Sequence, residues 1–161
     1  MKISPITSSH WHQIKHIQYL AYGDDYSESM AVLKTKIAIS PQTCFVCIND
    51  DHHVVGYLIS HPCDKKSLPQ LNQSTLHIDN THLHLHDLAI APASQGQGLP
   101  SLLINHLLVV LKTMNYQSVS LISVQNSASF WKKFNFIIDD SLRVPTGYGS
   151  NAIGMSRLLS T

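Results

Sequence analysis

Asp87-Leu-Ala-Ile-Ala-Pro-Ala-Ser-Gln95-Gly-Gln-Gly98-Leu-Pro100-Ser-Leu-Leu103 joins an apolar strand to an amphipathic helix through a turn that holds two glycines. Backbone N–H groups at a helix start carry the positive end of the helix dipole, and glycine lets an anion approach them closely. The stretch reads as a cradle for a phosphorylated ligand, and its neighbours decide which fold presents it.

Immediately upstream, His82 to Ala91 has strand character, but its apolar parity changes: Leu83 and Leu85 share one phase, Leu88 and Ile90 the other. An extra residue in the ladder, a β-bulge, would return all four to one buried face and splay the strand, as bulges near active sites do. A strand buried on both faces is the alternative. Downstream, Leu99, Leu102, Leu103, Leu107, Val110, Leu111 and Met114 follow the spacing of a helix packed on a sheet, and Asn115 ends it. Ser118 to Val124 then reads as a strand, Ser127 to Lys133 as a short helix, and Phe136 to Asp139 and Asn151 to Leu159 as further strands.

Towards the N-terminus, Ile3 to Ile6 forms a first strand, and Ser8 or Ser9 caps a helix with apolar face Trp11, Ile14, Ile17, Leu20 and Ala21. A second helix runs from about Ser27 to Ile39, beyond the break at Tyr22-Gly-Asp-Asp-Tyr26. Thr43 to Ile48 and Val54 to Ser60 flank Asn49-Asp-Asp-His52 as a hairpin. From His61 to about Asn80 there are turn-favouring clusters without periodicity, a loop that is either functional or a plain surface excursion.

The chain has 161 residues, 43% hydrophobic and 13% charged, which fits one domain with ample core. Eleven Lys plus Arg against 10 Asp plus Glu give no basic surplus for a phosphate backbone, so nucleic acid is disfavoured. The start Met1-Lys-Ile-Ser-Pro5 lacks the apolar core of a leader, and no run reaches the roughly 20 apolar residues of a membrane span. A cytoplasmic location and no membrane partner are expected. Cys44 and Cys47, three apart on a strand, should point to opposite faces, and with Cys63 isolated a structural disulfide is not expected.

The order of elements, with Leu-Ala-Ile-Ala-Pro-x-x-Gln95-Gly-Gln-Gly98, the Gly56-Tyr57 pair and the later Phe130-Trp-Lys-Lys-Phe-Asn-Phe136, resembles the GCN5-related N-acetyltransferases over nearly the whole chain. The resemblance implies an α/β domain with a mixed, mainly antiparallel sheet, flanking helices, and a bulged, splayed strand at the site of acetyl-CoA. Residues Gln95, Gly96, Gln97, Gly98, Leu99, Pro100 and Ser101 would hold its pyrophosphate. The backbone of Leu88, Ala89 and Ile90 would pair with the pantetheine arm, and Asn126 and Trp131 would line the other wall. Four residues depart from the family pattern. The neutral Gln95 stands in place of a common Arg, which removes a charge-assisted contact. Pro100 stands where Gly or Ala is usual, and proline is comfortable in a first helical turn. Trp131 replaces a common tyrosine that protonates the departing thiolate, and indole N–H is only a donor. Asn135 replaces glycine, and asparagine is the next best residue for a left-handed backbone.

Acetyl transfer to an amine requires a neutral nucleophile, whereas an alkyl ammonium has a pKa of about 10, so a base must take a proton. Asp87 is the favoured base, with His86 and His84 beside it, and a carboxylate that only braces the backbone is the alternative. The N–H of Ile90 is the candidate oxyanion donor. Tyr148 is a substitute acid, although a thiol with a pKa of about 8.5 can also leave as the thiolate. The resemblance implies an acceptor pocket between the first two helices, where Tyr22, Tyr26 and Asp24 or Asp25 would suit a cationic amine; an ordinary polar helix junction is the alternative. His82, His84 and His86 would share a strand face at a spacing of roughly 7 Å, too wide for one ion, so no metal is expected and a solvated or substrate-facing row is favoured. The reading is an acetyl-CoA-dependent enzyme acting on a small-molecule or protein amine in a ternary complex. A non-catalytic acyl-CoA-binding module is the rival, and a homodimer stays open.

Overall fold

A computed structural model describes residues 1–74 and 81–160. Among them one sheet runs in the order β1 (Lys2–Pro5), β2 (Phe45–Ile48), β3 (Val54–Pro62), β4 (His82–Ile90), β5 (Ser118–Ser123), β7 (Ile153–Leu158) and β6 (Ile137–Ile138). Only β4 and β5 pair in parallel; the other neighbours are antiparallel, as the sequence led us to expect. The expected Ser127–Lys133, Phe136–Asp139 and Asn151–Leu159 elements extend beyond the observed ones by one to two positions at their starts and by one at their ends. Residues 75–80, the end of the expected loop, lie outside the described residues.

Alternation along the strands feeds two cores. Leu58, Leu83, Leu85 and Ile90 meet α3 (Leu99–Thr113) and Trp131 of α4 (Ala128–Lys132) on one face. Val46, Tyr57, Ile59 and Ala89 meet α1 (Trp11–Tyr22) and α2 (Met30–Ile39) on the other. Cys44 and Cys47 fall in different cores, and all three cysteines are buried. Each fully buried leucine on these faces contributes about 1.5–3 kcal/mol.

The helices sit slightly rotated from their expected faces. In α3 the buried line is Leu99, Leu103, Ile104, Leu107 and Leu111, while Leu102 and Met114 are exposed. In α1 Gln18 takes the buried place beside Ile14 and Ile17, and Leu20 is exposed. Helix α2 begins at Met30 rather than near Ser27, because Ser29 is the residue whose side chain accepts the Val32 N–H, at 3.2 Å. The hydroxyl of Ser27 instead donates to the Gly23 carbonyl.

The expected bulge is present. Ile59 pairs with Asp87 and Ser60 with Leu85, so His86 is the extra residue of β4. It lets Leu88 and Ile90 rejoin the face of Leu83 and Leu85, yet both faces of β4 are also covered, so the two readings of this strand hold together. Gly56 opposite Ile90 has no room for a side chain: a Cβ there would lie 2.6 Å from Ile90 Cδ1 and 3.2 Å from the Ala89 carbonyl. Gly56→Ala should therefore cost about 1–3 kcal/mol in urea unfolding, and an unchanged midpoint would contradict this close packing.

Candidate active site

Pairing between β4 and β5 covers only His82, Leu83 and His84 against Ser118, Val119 and Ser120; beyond it the strands part. Ala91 N–H donates to the Val55 carbonyl at 2.8 Å. Antiparallel alternation then turns the backbone groups of Leu88 and Ile90 away from β3 and into the gap. One of these groups is already satisfied, since Tyr22 Oη donates to the Leu88 carbonyl at 2.7 Å. Burial holds the Tyr22 hydroxyl well above its ordinary pKa and so keeps it a donor.

The glycine turn closes one end of this gap. Gly96 and Gly98 take φ values of +76° and +73°, and a Cβ on either would find nothing within 4 Å. The left-handed backbone, rather than lack of space, is what calls for glycine there. Helix α3 starts normally through Pro100, with Leu102 N–H donating to the Gly98 carbonyl at 3.1 Å and no acidic residue in its first turn. Gln95, Gly96 and Pro100 border the adjoining cavity. Gln97, Gly98, Leu99 and Ser101 continue the turn outside its lining, with the Leu99 side chain buried in the core.

The cavity between the parted strands has a volume of about 460 Å³. His86, Asp87 and Glu28 face it, along with Tyr22, Tyr26 and Tyr148. Asp87 is 7% exposed, and its Oδ2 accepts from Tyr57 Oη at 2.7 Å and Gln18 Nε2 at 3.4 Å. Burial raises its pKa, and His86 and Tyr57, which pull the other way, do not cancel that. His86 Nε2 makes a buried hydrogen bond with Glu28 Oε1. For Glu28, burial pushes upward, but His86, the Asn72 N–H and Lys36 together hold the carboxyl below its ordinary value.

Glu28 is the residue that sequence reasoning missed. The signal was Ser29: a helix capped there places Glu28 just outside it, free to turn inward. The segment is fastened from both sides. Glu28 N–H donates to Gln18 Oε1 at 3.2 Å, Asn72 N–H donates to Glu28 Oε2 at 2.8 Å, and Ser29 N–H donates to Asn72 Oδ1 at 2.8 Å. The described part of the long loop therefore packs on the site, where Leu71 also borders the cavity.

Other expected residues divide. Trp131 borders the cavity, with its indole N–H given to Ser127 Oγ at 3.2 Å. Tyr148 borders it too, but its hydroxyl donates to the Pro69 carbonyl at 2.8 Å and burial raises its pKa. Asn126 borders a neighbouring cavity of about 230 Å³ shared with Tyr26 and Tyr148. Asp24 and Asp25 are exposed and outside both linings. Asn115 and Asn135 have φ of +60° and +62°, the left-handed geometry expected of them.

His82 and His84 are buried, not solvated, because β4 lies between β3 and β5 inside the sheet, while His86 borders the cavity. His82 Nε2 and His84 Nδ1 both meet Ser120 Oγ at 2.9 Å, and His82 Nδ1 meets Ser118 Oγ at 2.7 Å. Burial drives His61 down to about 3 and His84 well below its ordinary value, so both rings are neutral at physiological pH. His61 Nε2 and His86 Nδ1 are buried with no partner among the described residues. No cluster of three or more His, Cys, Asp or Glu residues among the described residues is arranged to hold a metal ion.

Residues 11–136 match the model of the acetyltransferase (GNAT) family. Similar solved structures include the ribosomal-protein-S18-alanine N-acetyltransferase from Escherichia coli, at 18% identity and TM-score 0.70, covering 99% of this chain and 94% of that one. An aminoglycoside 6'-N-acetyltransferase complexed with coenzyme A gives 13% identity and TM-score 0.74, covering 100% and 98%. A GNAT-like decarboxylase, GphF, in complex with isobutyryl-CoA gives 13% and 0.80, covering 99% and 100%. No curated protein matches the sequence.

Asp87 supplies a test with a definite sign. Its folded-state pKa lies above the unfolded value, so the ionised carboxylate costs stability at neutral pH; that cost fades as pH falls through the raised folded value and is gone below the unfolded value of about 4. Asp87→Asn, which keeps an oxygen for Tyr57, should melt above the wild type at pH 7 and lose that advantage near pH 4 in thermal denaturation. A variant that melts lower at pH 7 would contradict the direction.

Proposed function

The chain belongs to the acetyltransferase (GNAT) family, and we propose that it transfers an acetyl group from acetyl-CoA to a primary amine by direct attack in a ternary complex. One observation carries the reading: the unpaired backbone of β4 at Ile90 opens into a gap that runs from a two-glycine helix start to a cavity bordered by two carboxyl groups. The coenzyme fits the residues present. Backbone N–H groups between Gly96 and Ser101, at a helix start free of acidic residues, suit a pyrophosphate, and the strand edge at Leu88 to Ile90 suits an amide-bearing arm. When bound, acetyl-CoA supplies an acyl carbonyl activated as a thioester.

The chain's own groups then have definite tasks. Ile90 N–H points into the gap as a fixed donor for oxyanion charge, needing no reorganisation as that charge develops. Asp87 takes the ammonium proton directly or through a water. A carboxyl raised by burial is a stronger proton acceptor than an exposed one, and Tyr57 and Gln18 hold it in place. His86 stands beside it, with Glu28 fixing the ring. Trp131 closes the far wall without acting as an acid, and the thiol is acidic enough to leave under hydrogen bonding alone.

A second reading, acyl-CoA binding without turnover, draws on the same wall: the Trp131 N–H and the Tyr148 hydroxyl are both engaged with the protein itself. Thermal stabilisation and thiol release separate the two. Acetyl-CoA should raise the melting temperature, and CoA release should require an added amine. Stabilisation without turnover on any amine would favour binding alone, and no stabilisation by CoA or acetyl-CoA would remove the cofactor assignment.

A further inference from the structure

The cavity has an uneven chemical inventory. Two carboxyl groups, Glu28 and Asp87, border it, yet no lysine or arginine is among its described lining residues, nor in the lining of the smaller cavity beside it. The residues outside the description, 75–80 and 161, contain neither type. Two lysines stand behind the wall near Glu28, and both are engaged: Lys15 Nζ donates to the Glu28 carbonyl and to Gln18 Oε1, and Lys36 gives its Nζ to the Gln73 carbonyl at 3.0 Å. His86 is thus the sole basic side chain in the described lining, and it is already paired with Glu28.

The remaining walls on this side are Leu20, Leu71, Tyr22, Tyr26 and Tyr148. Leu20 keeps 47% of its surface exposed, an unsatisfied apolar side chain at the end of α1. Tyr22 and Tyr26 stand edge to face with centroids 6.5 Å apart, and Tyr26 Oη donates to the Tyr148 carbonyl at 3.2 Å, so the aromatic wall is held as a unit. Aromatic faces and carboxylates together attract a cation on an apolar body. A ligand carboxylate brought into the same space would lose its water, find no arginine or lysine, and lie beside two groups of its own sign.

We propose that the acceptor is a carboxylate-free amine on an apolar or aromatic body, such as an arylalkylamine, an amino-acid amide or a peptide N-terminus, and that Glu28 is the residue that selects it. This rests on the acetyltransferase reading for its chemistry but adds a discrimination that reading does not require. Glu28 suits the role because its backbone and one carboxylate oxygen are fixed by Gln18 and Asn72. The carboxylate is therefore positioned before any ligand arrives, and little ordering entropy is lost on binding.

Three matched probes test it: tyramine, tyrosine and tyrosine amide, each with acetyl-CoA. The kcat/KM for tyramine and the amide should exceed that for tyrosine by about tenfold or more. Parity, or preference for tyrosine, would overturn the proposal while leaving the transferase reading intact. Binding, followed by Trp131 fluorescence with CoA present, gives the same ordering without turnover. If that ordering holds and no product forms, the transferase reading falls and the selectivity stands; if none of the three binds, the selectivity falls. Glu28→Gln keeps an oxygen for the Asn72 N–H and should melt cooperatively. Its ratio of amine to amino acid should shrink several-fold, mainly through KM, and an unchanged ratio in the folded variant would remove Glu28 from the selection.

Discussion

One extra residue in one strand governs the rest of the molecule. Were β4 regular, Leu88 and Ile90 would share the face of His84 and turn towards α1 and α2, while Asp87 would point into the core beneath α3. Inserting His86 restores the apolar phase and sends Asp87 to the opposite side, where Tyr57 and Gln18 receive it. The same irregularity accompanies the parting of β4 from β5, which leaves Ile90 without a sheet neighbour on that side. Gly56 complements it, because only a residue without a side chain lets Ile90 lie so close across the ladder.

Below the bulge, the layer between the sheet and α2 breaks the usual rule for interiors. Lys36, His61, His82, His84 and Glu28 are all nearly or wholly buried. Imidazole and hydroxyl groups answer one another there, with Ser120 serving two histidines and His86 Nε2 in contact with Glu28 Oε1. Such a layer stabilises less than an apolar one of the same volume, because desolvation offsets most of the Coulomb gain. Violations of local rules gather where a protein has a function to perform, and these end at the cavity.

Much of this was legible in the residues. The phase change confined the bulge to the stretch between Leu85 and Leu88, with a strand buried on both faces as the alternative, and Gly96 and Gly98 marked the helix start; the residue itself, His86, is given by the ladder. Helix faces were less secure: Leu20, Leu102 and Met114 fit an apolar stripe but lie at its margin, where tertiary packing rather than periodicity decides burial. Glu28 was hidden because its role depends on Asn72 and His86, 44 and 58 positions away, contacts that no local pattern encodes. The histidine row showed its spacing but not its surroundings; only the sheet order reveals that His82 and His84 lie beside the serines of β5.

The central claim is that the bulge frees the β4 edge at Ile90 to receive the amide-bearing arm of a coenzyme. Residue-resolved amide hydrogen exchange measures this directly. The Ile90 N–H should exchange faster than that of Ala89 in the free protein, although both lie in the same strand, and should slow markedly when CoA is added. Equal protection of the two amides without ligand, or an Ile90 amide indifferent to saturating CoA, would contradict the account.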